Sequence, residues 1–318
     1  MIKFDKYKKK TLSKYWNNFS IMPKNSFYSQ TKLKKTLRKI QHFFGFKITI
    51  KLGKIKQLEN DEFQSFQKEK IIIKYRNEKL SEKILIYLKK FQINSNHSQI
   101  LKFIQEFQTI FYKSPVRDLG SGFGFNESLI LYCILKKLNP AQVIESGVMR
   151  GFTTYIIDKA TSKNCKIFCY DINFDNLVFK SKKAEYFNHD ISHNFTKSSN
   201  DQTFAFWDDH TSHLDRLKFS LKHKIKYNVF DDDLSFLNFH SDGWPPIPSI
   251  SMLKEIKQNL INKNEIQWMF KNKLGKMWLD NFKNDNTINL VKDHYIFPDL
   301  FSKTGYKNHS QCSFLILK

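Results

Sequence analysis

A chain of 318 residues with 41% hydrophobic content is long enough for one large domain with an appendage. Its 53 Lys and Arg against 30 Asp and Glu leave a formal net charge of +23, which would attract polyanions or an anionic membrane surface in a salt-dependent way. The excess is nearly all Lys in a chain also rich in Asn, Ile and Phe, as A- and T-rich codons favour, so a solvated lysine surface is the plainer reading and nucleic acid is not the expected partner.

Residues 1–95 read as a basic N-terminal α+β extension. Basic stretches such as Lys32–Lys39 alternate with two short apolar runs, Phe46–Ile50 and Ile71–Tyr75, that look like strands. The first ten residues, MIKFDKYKKK, lack the apolar centre of a signal peptide. No apolar run approaches the ~20 residues that span a bilayer. A soluble cytoplasmic protein is the expectation, with peripheral membrane contact through the basic N-terminus left open.

The second unit, 96–318, begins with a helical lid over 96–139. Ser98–Tyr112 carries Ile100, Ile104, Phe107 and Phe111 at helical spacing, and Pro115 ends it. A glycine-rich turn, Gly120–Gly124, leads to a second helix from Asn126 to Leu138, stopped by Asn139-Pro140.

From 140 onward strands and helices alternate. Short apolar runs at Val143-Ile144, Lys166–Tyr170, Ala184–Phe187, Thr203–Trp207 and Tyr227–Phe230 read as strands, with helices at Thr153–Ala160 and His210–His223. Such runs separated by helices indicate a parallel sheet covered on both faces. Two further helices, Ser249–Leu260 and Glu265–Phe282, precede a terminal strand pair near Ile288–Val291 and Ser313–Leu317. The fold class expected is α/β, a doubly wound and mostly parallel seven-stranded sheet. Cys133, Cys165, Cys169 and Cys312 show neither zinc spacing nor a disulfide framework.

Two glycine turns compete for a nucleotide. Asp118–Gly124 has glycines at suitable spacing, but a helix end and Lys113–Arg117 precede it rather than a strand, so it reads as a hinge or lid. The run from Val143 to Thr154 has the required order of strand, glycine turn and helix, with Gly147 and Gly151 in the turn. Its next strand ends in Asp171, close to the ~20-residue spacing at which an acid reaches ribose hydroxyls. The plainer alternative is that the glycines only permit tight packing and Asp171 caps a loop.

Residues 145–154, Glu-Ser-Gly-Val-Met-Arg-Gly-Phe-Thr-Thr, resemble the first motif of class I S-adenosylmethionine-dependent methyltransferases. They are most similar to the branch of cephalosporin-hydroxylase-like and saccharide O-methyltransferases, whose loop reads Glu-x-Gly-x-x-x-Gly-x-Ser/Thr. Gly124-Phe-Asn126 is similar to a segment preceding that motif in a group of uncharacterised bacterial proteins from polysaccharide-type gene neighbourhoods. The resemblance spans roughly residues 100–318 and implies a Rossmann-like methyltransferase sheet with S-adenosylmethionine as cofactor. It further implies that Glu145 and Gly147 face the methionine moiety, with Gly151 in the same loop, Asp171 at the ribose and Asp190 at the adenine. Met149 departs from the pattern where many members keep a glycine.

Two strand tips end in acids, Asp208-Asp209-His210 and Asp231-Asp232-Asp233. Carboxylates gathered on one sheet edge repel each other unless a cation lies among them, and hard oxygens suit Mg²⁺ or Mn²⁺. The arrangement resembles metal-dependent O-methyltransferases of the catechol and caffeoyl type, which implies Asp209, Asp231 and Asp232 as ligands, with Asp208 a close rival of Asp209. His210 is the candidate general base; helix capping and solubilising are the plainer roles for these residues. Asp215-Arg216 reads as a helix-surface pair of little weight. Beyond the second tip, Trp244 and its neighbouring prolines form a stiff aromatic loop that fits a sugar ring. The function expected is metal-assisted O-methylation of a glycan or other small hydroxylated acceptor. The alternative is a non-catalytic methyltransferase-like binding protein in glycan assembly. No oligomeric state is legible.

Overall fold

The computed structural model describes residues 3–6, 46–49, 70–116, 123–195, 202–238, 246–261, 264–270 and 273–318. Strands β1 (Lys3–Lys6) and β2 (Phe46–Thr49) pair antiparallel, with Lys3 opposite Thr49 and Lys6 opposite Phe46. The other expected strand, Ile71–Tyr75, lies instead in helix α1 (Lys70–Lys89). Three consecutive isoleucines favour a strand locally. Downstream, however, Leu80, Ile84, Tyr87, Leu88 and Phe91 recur at three and four and are at most 3% exposed. Burying that stripe outweighs a propensity difference of ~1 kcal/mol. The stripe shares one apolar core with the sheet, so the core begins inside the segment read as an extension.

Helix α2 (His97–Tyr112) opens on a capping box: the Asn96 side chain accepts the Gln99 amide at 2.9 Å while the Gln99 side chain reaches back to the Asn96 amide. It buries the four apolar residues its spacing predicts. Helix α3 (Phe125–Leu138) is buried from Phe125 to Leu135 and ends where Asn139 turns left-handed before Pro140. The Lys32–Lys39 stretch, Gly120–Gly122 of the hinge and Trp244 lie outside the described residues.

From there the chain runs β3 (Gln142–Ser146), α4 (Phe152–Ala160), β4 (Lys166–Tyr170), β5 (Ala184–Phe187), β6 (Thr203–Trp207), α5 (His213–Lys222), β7 (Tyr227–Phe230) and α6 (Ile250–Lys257). A hairpin, β8 (Glu265–Phe270) and β9 (Lys273–Trp278), follows, then the short α7 (Asp280–Lys283), a 3₁₀ turn at Thr287–Leu290, β10 (Val291–Ile296), α8 (Phe301–Thr304) and β11 (Ser313–Leu317). The seven-stranded sheet has the order β10-β11-β7-β6-β3-β4-β5. Strands β3 to β7 are mutually parallel, and β11 runs antiparallel to both β7 and β10. This is the Rossmann-like methyltransferase sheet, reached from the strand order itself.

Side chains alternate between two cores, as a period of two requires. Val143, Phe204, Phe206 and Val229 face α1 to α4, whereas Ile144, Ala205, Trp207 and Phe230 face α5 and α6. Every residue of β3 and β6 is buried; β6 is apolar after Thr203, as a strand covered on both faces requires, whereas β3 buries the polar Gln142, Glu145 and Ser146 beside Val143 and Ile144.

One expected helix is wrong. Most of Glu265–Phe282 forms the β8–β9 hairpin instead, with only its end in α7, because Ile266, Trp268 and Met277 fall on one face and pack with Ile256 and Leu279. Trp268 stands opposite Gly275, and a Cβ there would overlap the indole. Among the described residues, no helix is long and apolar enough to cross a membrane. All four cysteines are buried free thiols.

Candidate functional site

Strand β3 ends where the strand order reverses, the crevice at which open α/β sheets take ligands. The turn that follows needs three positive φ angles, at Gly147 (90°), Met149 (50°) and Gly151 (79°). A Cβ on Gly147 would overlap the Asp208 carbonyl, and one on Gly151 the Phe179 carbonyl, so both positions require glycine. Met149 adopts a similar angle at a cost of roughly 1 kcal/mol. The Gly147 amide donates to the Tyr170 carbonyl at 2.9 Å and the Asp208 amide to the Ser146 carbonyl at 2.8 Å, which ties three strand tips together.

Asp171 lies against this turn. Its Oδ2 accepts the amides of Val148 (2.8 Å) and Met149 (2.9 Å), and its Oδ1 that of Asn173 (3.0 Å). The pairing of glycine turn and acid is therefore real, but the acid itself covers two of the amides expected to face a ligand. Glu145 is wholly buried beneath the turn; the Thr154 hydroxyl (2.6 Å) and Cys169 thiol (3.4 Å) donate to Oε2, and Oε1 has no partner. Burial pushes its carboxyl up to about 8.

Asp190 and Asp209 are both held by Arg216, which is 2% exposed. The Arg216 Nε donates to Asp209 Oδ2 at 2.8 Å, and Nη2 bonds Asp190, Asp209 and the Thr211 hydroxyl. The guanidinium also lies 5.5 Å from the Trp207 ring. Burial alone would raise the Asp190 carboxyl, yet the bonds from Arg216 and Ser192 hold it at about 2. Arg216 is thus no surface residue: it bridges the tips of β5 and β6, and Asp190 and Asp209 are spent on it. The signal in the sequence was a charge on the inner stripe of α5, shared with His213, Leu217 and Ser220.

The remaining acids gather one strand further along. Asp231 is 5% exposed and accepts from the Ser310 hydroxyl and, at 2.8 Å, from the Cys312 thiol. Burial, then Asp231, Asp232 and Asp209, push the Asp208 carboxyl well above its ordinary value. Burial and Asp231 lift Asp232 to about 7. Asp233 turns away to His294 (2.6 Å) and the Ser251 amide (2.7 Å). His210, the expected base, is exposed at the lip, its Nδ1 3.9 Å from Asp232 Oδ2. The expected metal set of Asp209, Asp231 and Asp232 is not assembled, because Asp209 faces Arg216. Among the described residues, no three His, Cys, Asp or Glu are placed to hold an ion.

The lid contributes a residue that sequence reasoning missed. Glu127, in the first turn of α3, is wholly buried; Oε1 accepts the His309 amide at 2.5 Å, and Oε2 has no partner. Burial, with Asp231 adding to it, pushes its carboxyl up to about 7. Gly124 makes room for it, since a Cβ there would press on Oε2. A helix buried on almost every side offers no pattern from which such a residue could be singled out.

No family model matches the chain, and no curated protein does. Among solved structures it is similar to the O-methyltransferase from Bacillus cereus in complex with SAH, at 10% identity and TM-score 0.37, over 73% of this chain and 96% of that one. It is also similar to the O-methyltransferase TomG from Streptomyces achromogenes, involved in tomaymycin synthesis and bound to SAM, at 9% identity and TM-score 0.37, over 73% and 95%. A cmcI structure with Mg and SAM overlaps at 11% identity and TM-score 0.34, over 66% and 84%. Likeness at this level assigns no activity; the chain has the methyltransferase-type fold by virtue of its own strand order and directions.

Proposed function

We propose that the chain is an S-adenosylmethionine-dependent O-methyltransferase acting on a saccharide or related hydroxylated metabolite. The observation that carries this reading is the Gly147–Gly151 turn at the switch point, with Asp171 bound to its amides. The residues present fit an adenosyl cofactor. Asp171 is only partly buried, and a carboxylate oxygen accepts more than one bond, so it retains capacity for ribose hydroxyls. The donorless, buried Glu145 Oε1 suits the N–H groups of the methionine end. Where the resemblance put a free Asp190 at the adenine, the wall is the Asp190–Arg216 ion pair.

The cofactor, when bound, supplies an electrophilic sulfonium methyl group. The chain's own part is to orient the acceptor and take the proton its hydroxyl loses. Asp232, near 7, with His210 beside it at the lip, is the pair best matched to that transfer. The saccharide class rests on the resemblance of residues 145–154. Asp208, Asp231 and Asp232 offer oxygens of the kind a divalent cation takes, but among the described residues their arrangement does not fit one.

Calorimetry with S-adenosylhomocysteine tests the reading. The wild-type chain binds it, and Asp171→Ala loses at least tenfold in affinity; unchanged affinity would remove Asp171 from the site. The second reading, a non-catalytic binding domain, is favoured by the closure of Asp190 and Asp209 onto Arg216. It predicts no thermal stabilisation of the wild type by S-adenosylhomocysteine, whereas a catalytic domain is stabilised.

A further inference from the structure

On the opposite edge of the sheet, where the parallel strands begin, a cavity of about 330 Å³ opens between α1, α3 and the β7–β11–β10 side. Three ammonium side chains line it from three separate elements: Lys137 near the end of α3, Lys226 just before β7, and Lys292 in β10. Gln92 and Asn94 stand at its lip, and Phe91 and Tyr227 form part of its wall. Among the described residues, no carboxylate lines it.

The neighbouring groups absorb little of this charge. Lys137 donates to the Gln99 side chain at 3.2 Å, a neutral acceptor. Lys292 meets Asp293 only at 3.9 Å, and Lys226 lies 5.6 Å from the Tyr227 ring. The turn that ends α1 places the two amide side chains here: Gln92 takes a positive φ of 57° and its amide donates to the Lys89 carbonyl at 3.0 Å. A concave site lined by one sign of charge, with low-dielectric walls, focuses the potential inside it. Phe91, 3% exposed and edge-on to Tyr295 at 5.1 Å between centroids, supplies such a wall.

We propose that this cavity binds the phosphoryl group of a small phosphorylated molecule. A volume of about 330 Å³ stands at the small end of ligand pockets, which span roughly 300–1,000 Å³. A half-open recess of that size admits a mono- or diphosphate, whereas a duplex, with its regularly spaced phosphates, needs a basic stripe along a surface. Three ammonium groups match the charge of a pyrophosphate, and the Gln92 and Asn94 amides add neutral donors. The site lies at the far end of the strands from the Gly147 turn, so it stands or falls independently of the methyl-transfer reading.

The test is calorimetric titration of the full chain with inorganic pyrophosphate and with ADP, at fixed ionic strength. The wild type binds pyrophosphate, and the Lys137→Gln/Lys226→Gln/Lys292→Gln variant binds it at least tenfold more weakly. A control variant with three exposed lysines outside the cavity replaced, Lys102→Gln/Lys163→Gln/Lys222→Gln, retains wild-type affinity. Tighter binding of ADP than of pyrophosphate, lost in the cavity variant alone, identifies an organic phosphate as the occupant; equal binding identifies the phosphoryl group by itself. Equal losses in both variants would show general attraction to a basic surface and overturn the proposal, as would the absence of binding by either probe. Circular dichroism and melting temperature confirm that each variant is folded, as expected for neutral replacements of side chains at the surface.

Discussion

Arg216 decides what the acidic tips of the sheet are able to do. Two carboxylates that sequence reasoning assigned to adenine and metal are bonded instead to one buried guanidinium. Such a pair is expensive to break from one side, because the partner charges stay behind. Arg216→Met should therefore lower stability by about 3 kcal/mol, reduced somewhat because the Asp190 side chain is 29% exposed. Urea denaturation checks this, and a loss below about 1 kcal/mol would show that the carboxylates are solvated. The residues legible beforehand at this scale were those with a backbone reason, Gly147 and Gly151, and an acid at a spacing fixed by strand length, Asp171. Arg216 showed only as a charge on the inner stripe of α5, with nothing to name Asp190 as its partner, and Glu127 showed not at all, since His309 lies 182 residues away.

Helix α1 shows how an element is decided by its surroundings. A run of isoleucines at its start suggested a strand, yet Ile84 and Leu88 are completely buried beside Phe91, and the Tyr87 hydroxyl donates to the Tyr295 carbonyl at 2.9 Å. Ile84→Ala should destabilise the whole domain by about 2–5 kcal/mol, the range for removing a large aliphatic side chain from a packed core. The check is whether the methyltransferase-type domain melts in a single transition that shifts with the substitution. If that transition does not move, α1 is an independent appendage. The hairpin β8–β9 is the converse case. Its alternation is present in Ile266, Trp268 and Met277, but what makes the pairing possible is cross-strand, Gly275 leaving room for the indole of Trp268. Strands β3 to β7 posed no such ambiguity, because short apolar runs such as Val143-Ile144, Ile167–Tyr170 and Phe204–Trp207 are separated by turns and helices.

Across the whole molecule, buried carboxyls set the response to pH. Glu127 and Glu145 are raised to about 7 and about 8, against roughly 4.3 in an unfolded chain. The folded state therefore binds more protons than the unfolded one, and stability falls as pH rises from about 4.3 through 8. His213 and His309, lowered by burial to about 4, act oppositely: their contribution is lost as pH falls from about 6.5 to 4. Above about pH 6.5 the raised carboxyls dominate, Asp208 and Asp232 at the strand tips acting in the same direction as the two glutamates. The melting temperature should then decline by several degrees between pH 6.5 and 8.5, and Glu127→Gln/Glu145→Gln should flatten that decline. A wild-type melting temperature independent of pH over this range would contradict the assignment of these two groups.

The amino-acid order by itself determined the doubly wound sheet and the position of the glycine turn. Both follow from local rules: apolar runs of strand length, turn residues that alone tolerate positive φ, and an acid one strand further on. Only the tertiary structure decided which acids are free. A carboxylate's role depends on what stands within 3 Å of it, and at Asp190, Asp231 and Glu127 that neighbour lies 26, 79 and 182 residues away along the chain. Helix α1 and the β8–β9 hairpin were settled in the same way, by surfaces that exist only once the sheet has formed.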